Sequence, residues 1–153
     1  MSIATIMIMF SIWKEIFEMK INGKKYNLDS WNNDSAWITD LVGKTFTQVI
    51  RSDDEAIVFV GEEEVYAFYH RQDCCESVSI EDVCGDLSDL ENLPLLVARE
   101  DSNQGELDYG SFTWTFYNFS TNRGSVTIRW YGTSNGYYSE SVGLYRLEPE
   151  SKN

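Results

Sequence analysis

The sequence predicts an α+β fold that is mostly antiparallel β, arranged as a single twisted sheet or a partly open barrel. Three observations support this prediction. Aromatic residues make up 14% of the 153 positions, enough to pack the core of one ordinary domain. Bulky residues alternate with polar ones over residues 112–116 and 126–130, as they do in half-buried strands. Turn signals such as Asn22-Gly23 punctuate the chain, because both residue types tolerate positive φ.

The N-terminal residues form a mostly apolar run from Ile3 to Trp13. A membrane-spanning helix needs about 20 such residues, so this run is too short to cross a bilayer. It also lacks the basic start and the small-residue cleavage site of a signal peptide. We expect a short helix here, with one packing face that holds Ile8, Ile12, Ile16 and Met19.

The domain boundary is expected near residue 30. Residues 1–30 read as an N-terminal extension, either helix or hairpin, and residues 31–153 as a single β-rich domain. The stretch that begins at Met19 also resembles a natural N-terminus. A start at that position, with residues 1–18 as an added segment, stays open as an alternative.

The central elements follow from alternation and from turn residues. Residues 44–50, 56–60 and 65–70 predict three antiparallel strands joined by acidic turns. Leucines at every third position predict one short helix near residues 86–93. Residues 101–110 are polar and contain two glycines, which predicts a loop.

The last third of the chain carries the clearest strand pattern. Residues 112–119 and 126–131 predict two antiparallel strands joined by a turn at residues 121–124. Bulky side chains occupy alternate positions of both segments, which predicts that Trp114 and Trp130 are buried.

The three cysteines are an odd number and two of them are adjacent, unlike the cysteines of secreted disulfide scaffolds. We expect reduced thiols and a cytoplasmic protein. A metal site is not expected, since the spacing matches no zinc pattern. The candidate ligands for an alternative metal- or small-ligand-binding domain are His70, Cys74, Cys75 and Cys84.

Catalysis is not expected either. A nucleophilic cysteine would need activation by the single histidine, and the surrounding carboxylates disfavour a thiolate. No pair of carboxylates stands out among the 25 acidic residues, although a small hydrolase stays open as an alternative. We expect no cofactor.

The formal charge of −13 disfavours direct nucleic-acid binding, because a polyanion repels it at long range. The charge is also concentrated. Between Asp53 and Asp108, 17 acids face two bases, a net of −15, whereas the rest of the chain has 8 acids and 10 bases, a net of +2. This window predicts either an anionic docking surface for a basic groove or an ordinary solvated face.

The candidate partner-binding residues belong to two sets. The acidic set is Asp53, Asp54, Glu55, Glu62, Glu63, Glu64, Glu81, Asp82, Asp86 and Asp89. Its two triplets occupy successive turns of one meander, so we expect them at opposite ends of a sheet. The second set surrounds a glycine-containing turn and consists of Trp130, Tyr131, Asn135, Tyr137 and Tyr138. Exposed aromatics of this kind anchor protein partners, but rings folded back onto the core are an alternative.

Two sequence blocks resemble a family of uncharacterised phage and prophage proteins. The first block is Phe68-Tyr69-His70-x-x-Asp73-Cys74-Cys75-Glu76-x-Val78-x-Ile80-Glu81-Asp82-Val83-x-Gly85-Asp86-Leu87-x-Asp89-Leu90. The second is Thr113-Trp114-Thr115-Phe116-Tyr117, then Val126-Thr127-Ile128-Arg129-Trp130-Tyr131-Gly132-x-Ser134-Asn135-Gly136-Tyr137-Tyr138-Ser139-Glu140. The resemblance extends from about Trp37 to the C-terminus and implies a phage origin rather than a mechanism.

Small phage accessory proteins commonly bind and disable a host protein, and this analogy shapes the functional expectation. We expect a non-catalytic, protein-binding inhibitor that acts in the host cytoplasm. Its expected target is a host factor with a basic, nucleic-acid-binding groove, as for an anti-defence (anti-CRISPR-like) protein. Neither nucleic acid nor a membrane is an expected partner.

Overall fold

The computed structural model describes the backbone of residues 6–11 and 14–151 and the side chains of residues 18–151. The strands are β1 (Ile6–Ser11), β2 (Lys14–Ile21), β3 (Lys24–Asn27), β4 (Asp34–Ser35), β5 (Gln48–Ser52), β6 (Ala56–Val60), β7 (Val65–Tyr69), β8 (Ser77–Cys84), β9 (Val97–Leu107), β10 (Gly110–Ser120), β11 (Ser125–Ser134) and β12 (Gly143–Arg146). The helical elements of these residues are two 3-10 turns, Ile38–Leu41 and Leu87–Leu90. No helix in the described part of the chain is long and apolar enough to span a membrane.

Three antiparallel sheets pack in layers. The strand orders are β1-β2-β3, β4-β12-β7-β6-β5 and β8-β11-β10-β9, and the five-stranded sheet lies in the middle. The expected β-rich, antiparallel class is confirmed, but a single sheet or partly open barrel is wrong. Every position of β6 and β7 is buried, so the central sheet needs a covering layer on both of its faces.

The larger core lies between the central and four-stranded sheets. Phe59 and Phe68 of the central sheet contact Phe119 at ring-centroid distances of 5.1 and 5.6 Å. Tyr117 lies 4.6 Å from Phe68, and Trp130 completes this layer at 1% exposure. These aromatic contacts fix how the two sheets stack.

The second core lies on the opposite face of the same central strands. Val58 and Ala67 alternate with the residues of the larger core, so they point toward the N-terminal sheet. Met19 and Ile21 of β2 cover them, and Leu28 is buried beside them. Side chains from before residue 31 therefore belong to the hydrophobic interior.

The expected N-terminal helix is wrong, because the described residues of that segment are strands. β1 pairs with β2, and β2 pairs with β3 through the predicted Asn22-Gly23 turn, where φ is 53° and 79°. An isoleucine-rich segment has high strand propensity, and a strand can extend the hairpin that this turn begins. The helical spacing of the apolar residues in this segment therefore does not determine its structure. Ile12 lies outside the described residues.

The predicted aromatic hairpin is confirmed. β10 and β11 pair from Ser111–Ser134 to Ser120–Ser125 without a register shift. Trp130 is buried as expected, whereas the expectation that Trp114 is buried is wrong. Thr113 and Thr115 face inward, because they continue the alternation of the buried Tyr117 and Phe119. Trp114 therefore lies half-buried on the outer face of the sheet.

Two other segments differ from expectation. The predicted loop at residues 101–110 is mostly strand, since β9 runs to Leu107 and a two-residue turn leads into β10. The short helix expected near residues 86–93 is a 3-10 turn, Leu87–Leu90, in which the Asp86 carboxylate caps the Ser88 amide. β9 is an edge strand exposed along most of its length, so burial imposes no alternating pattern on it.

Candidate binding surface

The two acidic turn triplets lie at opposite ends of the central sheet, as expected. Residues 53–55 form the turn between β5 and β6, and residues 62–64 lie between β6 and β7. Five of these six residues are exposed, and Glu64 is partly buried. Each turn presents carboxylates to solvent, but the two turns do not form one patch.

Glu64 belongs to an internal ion-pair network. Its carboxylate lies 2.7 Å from the Lys44 ammonium, 3.2 Å from the Tyr66 hydroxyl and 3.9 Å from the Arg146 guanidinium. The Lys44 hydrogen bond holds the pKa of Glu64 below its ordinary value. The positive charges of Lys44 and Arg146 therefore offset the negative charge of Glu64. Glu62 and Glu63 carry the exposed charge of this turn.

The acids of β8 and of the following turn also include one ion-paired residue and two exposed ones. Arg129 binds both carboxylate oxygens of Asp82, with Nε 2.7 Å from Oδ1, and its guanidinium also lies 5.4 Å above the Trp114 ring. Glu81 is the extra residue where the β8–β11 register shifts, and its side chain is exposed. Asp86 is exposed and Asp89 half-buried, both at the second 3-10 turn.

The aromatic turn is only partly on the surface. Tyr137 is 84% exposed, and its ring contacts that of the half-buried Tyr138 at 5.4 Å. The Asn135 side chain accepts a hydrogen bond from the Tyr137 amide and shapes the turn. Tyr131 packs against Trp114 on the outer sheet face, 4.5 Å between centroids. Trp130 lies in the core and contributes nothing to this surface.

The single histidine is part of a buried polar cluster. His70 Nδ1 lies 2.7 Å from the Ser141 carbonyl oxygen, and Nε2 lies 2.9 Å from Glu76 Oε1. The Glu76 side chain is fully buried and accepts hydrogen bonds from the amides of Asp73 and Cys74. Burial raises the pKa of Glu76, but these hydrogen bonds outweigh it and lower the pKa to about 2. The cluster ties the segment after β7 to the segment before β12.

The expectation of three free thiols is wrong, because a disulfide joins Cys74 to Cys75. The two cysteines lie in a bend rather than in an extended strand, so their side chains do not point to opposite faces. Cys84 is free and exposed at the far end of β8, about 23 Å along the strand from its start. The candidate metal ligands therefore do not converge. Among the described residues, no group of three ligating side chains has a geometry that could hold a metal ion.

A cleft that the sequence did not reveal lies beside β9. It has a volume of about 470 Å³ and lies between the β9–β10 hairpin and residues 138–141. Glu140 forms its buried end and accepts hydrogen bonds from the hydroxyls of Ser111, Thr113 and Ser134. Burial raises the pKa of Glu140, but the three hydroxyls outweigh it and hold the pKa below its ordinary value. Glu140 is therefore ionised at neutral pH.

A second cleft of about 370 Å³ touches the same strand at Glu100. Trp37, Tyr145 and Glu100 line it, with apolar side chains at its base. The Glu100 carboxyl lies next to the Tyr117 hydroxyl, and although the residue is exposed, burial on that side raises the pKa of Glu100. Residues 138–141 line the first cleft and residues 142–145 the second, so the two clefts lie side by side on the inward side of β9, and we refer to them together as the acidic groove.

The groove could not be found from sequence because its carboxylates come from distant segments. Glu100 and Glu106 lie on β9, a strand that reads as a loop, and Glu140 lies more than 30 residues further on. The alternation of hydroxyl residues at Ser111 and Thr113 is the single local signal, since it places two donors on one face of β10.

The fold and the groove together define a layered antiparallel β domain with an open, acid-lined edge. Residues 39–144 match the family model of DUF7448, a domain of unknown function, and the chain belongs to this family. The match begins within the first 3-10 turn and ends within β12, so it covers the four-stranded sheet and most of the central sheet, but neither β4 nor the N-terminal sheet. Comparison with curated proteins and with solved structures gives no match.

Proposed function

We propose that this chain is a non-catalytic protein-binding domain that docks an acidic surface on a basic groove of a host protein. The proposal includes the phage-type, inhibitory role that the sequence suggests, carried out in the host cytoplasm. The observation that carries the proposal is the exposure of the acids between Asp53 and Asp108.

Twelve of the 17 acids in this window are exposed, and one, Glu76, is buried. The two bases of the window do little to offset them. Arg71 stacks on the Tyr145 ring at 4.4 Å and donates to the Tyr69 hydroxyl. Its guanidinium is therefore held against these two side chains rather than among the exposed carboxylates. Arg99 pairs with Asp101. The net negative charge of these exposed residues would attract a basic partner at long range.

The polar groups with catalytic potential support binding rather than catalysis. His70 has an oxygen acceptor at each ring nitrogen, so it is held as a structural link between two segments. Cys84, the free thiol, lies at the other end of β8. A nucleophile and its base would have to lie within hydrogen-bond reach of each other.

Charge reversal tests the proposed function. A host protein retained from lysate by the wild-type chain is identified and purified, and its association and dissociation rates are measured at low and high salt. Asp53→Lys and Glu55→Lys are combined in one variant, which spares Asp54 because Arg51 pairs with it at 2.5 Å. Glu62→Lys and Glu63→Lys are combined in a second, which spares the paired Glu64. Association should slow and its salt dependence flatten, since exposed charges act mainly on encounter. A variant with Glu150→Lys is the control for charge change outside the window. Unchanged association rates in both variants at low salt would show that the acidic face is only solvated surface.

A further inference from the structure

We propose that β9 is the docking edge for an extended basic segment of the partner, which adds to the four-stranded sheet as a further strand. Its inward-pointing Lys or Arg side chains enter the acidic groove beneath β9. This inference rests on the proposed function and names the surface and the partner chemistry that carry it out.

The first observation is the open edge. β9 is 11 residues long and pairs with β10 over its whole length, from Leu107–Gly110 to Val97–Ser120. Within the described residues β9 pairs with no other strand, and residues 99–104 are all exposed. An edge of this length offers a row of backbone donors and acceptors, which an extended peptide satisfies by adding a strand.

The second observation is the groove on the inward side of that edge. Glu100 and Glu106 lie six residues apart, so they share one face of β9 and are separated by about 20 Å. Glu100 lines the 370 Å³ cleft, and Glu106 lines the 470 Å³ cleft together with Glu140. Both volumes fall within the range of ligand pockets, about 300–1,000 Å³.

The third observation is charge complementarity. The residues that line the two clefts include three carboxylates and neither Lys nor Arg. A strand added along β9 points alternate side chains inward, so two basic residues six positions apart would meet Glu100 and Glu106 together.

A second copy of this chain is a poorer occupant. Antiparallel pairing of β9 with itself would bring two strands together that each carry Glu100, Asp101 and Glu106. Like charges across a strand pair are destabilising. A basic segment turns the same carboxylates into attractive contacts.

The test uses the full-length chain and a nine-residue peptide that alternates Lys and Thr, with a Gln-for-Lys peptide as control. Affinity is measured for wild type, for Glu100→Gln with Glu106→Gln, and for Glu148→Gln with Glu150→Gln as the matched control outside the acidic window. We expect the β9 pair to weaken binding about tenfold and the control pair to change it little. Bound peptide should also slow amide hydrogen exchange across residues 98–107.

Each of three contrary results would overturn the inference. Equal weakening in both variants would indicate general charge attraction, and an absence of exchange protection in β9 would exclude strand addition. Concentration-dependent dimerisation that protects β9 without peptide would assign the edge to a second copy. If the host protein still responds to charge reversal at Asp53 and Glu55 in any of these cases, the proposed function stands without this site. If it does not respond, the proposed function fails as well.

Discussion

Glu76 is the residue at which burial, charge and hydrogen bonding oppose one another most strongly. Its carboxylate is removed from water, yet two backbone amides and the His70 ring keep it ionised. A buried carboxylate with this many donors stabilises the fold only while it carries its charge. Through His70, the same contacts join the bend at Cys74 to Ser141 in the segment before β12, so one carboxylate connects two loops.

Acid sensitivity should follow from Glu76. Its pKa in the folded chain is about 2, below the ordinary value of 4.5, so the contribution is present above pH 4.5 and is lost as the pH falls toward 2. Glu76→Gln should lower the free energy of unfolding by about 3 kcal/mol at pH 7, because His70 loses its buried partner. Urea denaturation at pH 7 and pH 3 measures both effects, with Glu62→Gln as the exposed control. An equal loss at both pH values would contradict the assignment.

At the scale of elements, Gly132 shows how closely the loop before β12 packs on β11. A Cβ built at this position would lie 2.7 Å from the Glu140 carbonyl oxygen and 3.0 Å from the Glu140 Cβ. A separation below 3.0 Å from backbone cannot be relieved by rotating a side chain. Glycine at position 132 therefore lets the loop seat Glu140 against its three hydroxyl donors.

Gly132→Ala should push residues 138–141 away from the sheet and destabilise the chain by about 1–3 kcal/mol. Chemical denaturation measures the loss, and the intrinsic fluorescence of the tyrosine-containing loop reports the displacement. Thr133→Ala, at the next position of β11 and on the outer face, is the control and should change little. Wild-type stability in the Gly132 variant would mean that the loop is not held against the sheet.

The sequence predicts strands well where one face of the strand is buried and the other is exposed to solvent. The hairpin of β10 and β11 follows directly from its alternation, and so does the Asn22-Gly23 turn. The orientation of Trp114 does not follow, because β10 carries aromatics on both faces. β9 leaves no pattern at all, since solvent surrounds most of its length. The groove depends on that strand, which is why sequence reasoning placed the docking acids in the turns instead.

At the scale of the whole molecule, three layers share two cores, and the N-terminal sheet closes the second one. Ile21 is 1% exposed and packs with Val58 and Ala67 of the central sheet. The sequence could not predict the three layers. A continuous apolar run such as residues 56–60 indicates a buried segment, but such a segment occurs in several architectures. The sequence does not show what covers the second face.

Removing the Ile21 side chain should therefore destabilise the entire chain rather than the N-terminal hairpin alone. Ile21→Ala should lower the free energy of unfolding by about 2–5 kcal/mol, as for other large-to-small core substitutions. Lys20→Ala, at the exposed neighbouring position, is the control. Trp130 fluorescence, measured with the other four tryptophans replaced by Phe, reports on the other core, so one shared unfolding transition is expected. If the Trp130 signal keeps its wild-type midpoint, the two cores unfold separately.

Burial of β6 and β7 on both faces also limits which substitutions this sequence can accept during evolution. In a strand with one wet face, every second position accepts new polar residues, and mutations accumulate there without harm. The ten positions of β6 and β7 offer no such outlet, because each side chain belongs to one core or the other. Inherited variation must therefore settle on the outer layers, where β9 lies, and on the exposed turns, which include the two acidic triplets. A chain built this way can change the partner it recognises while its central strands stay almost fixed.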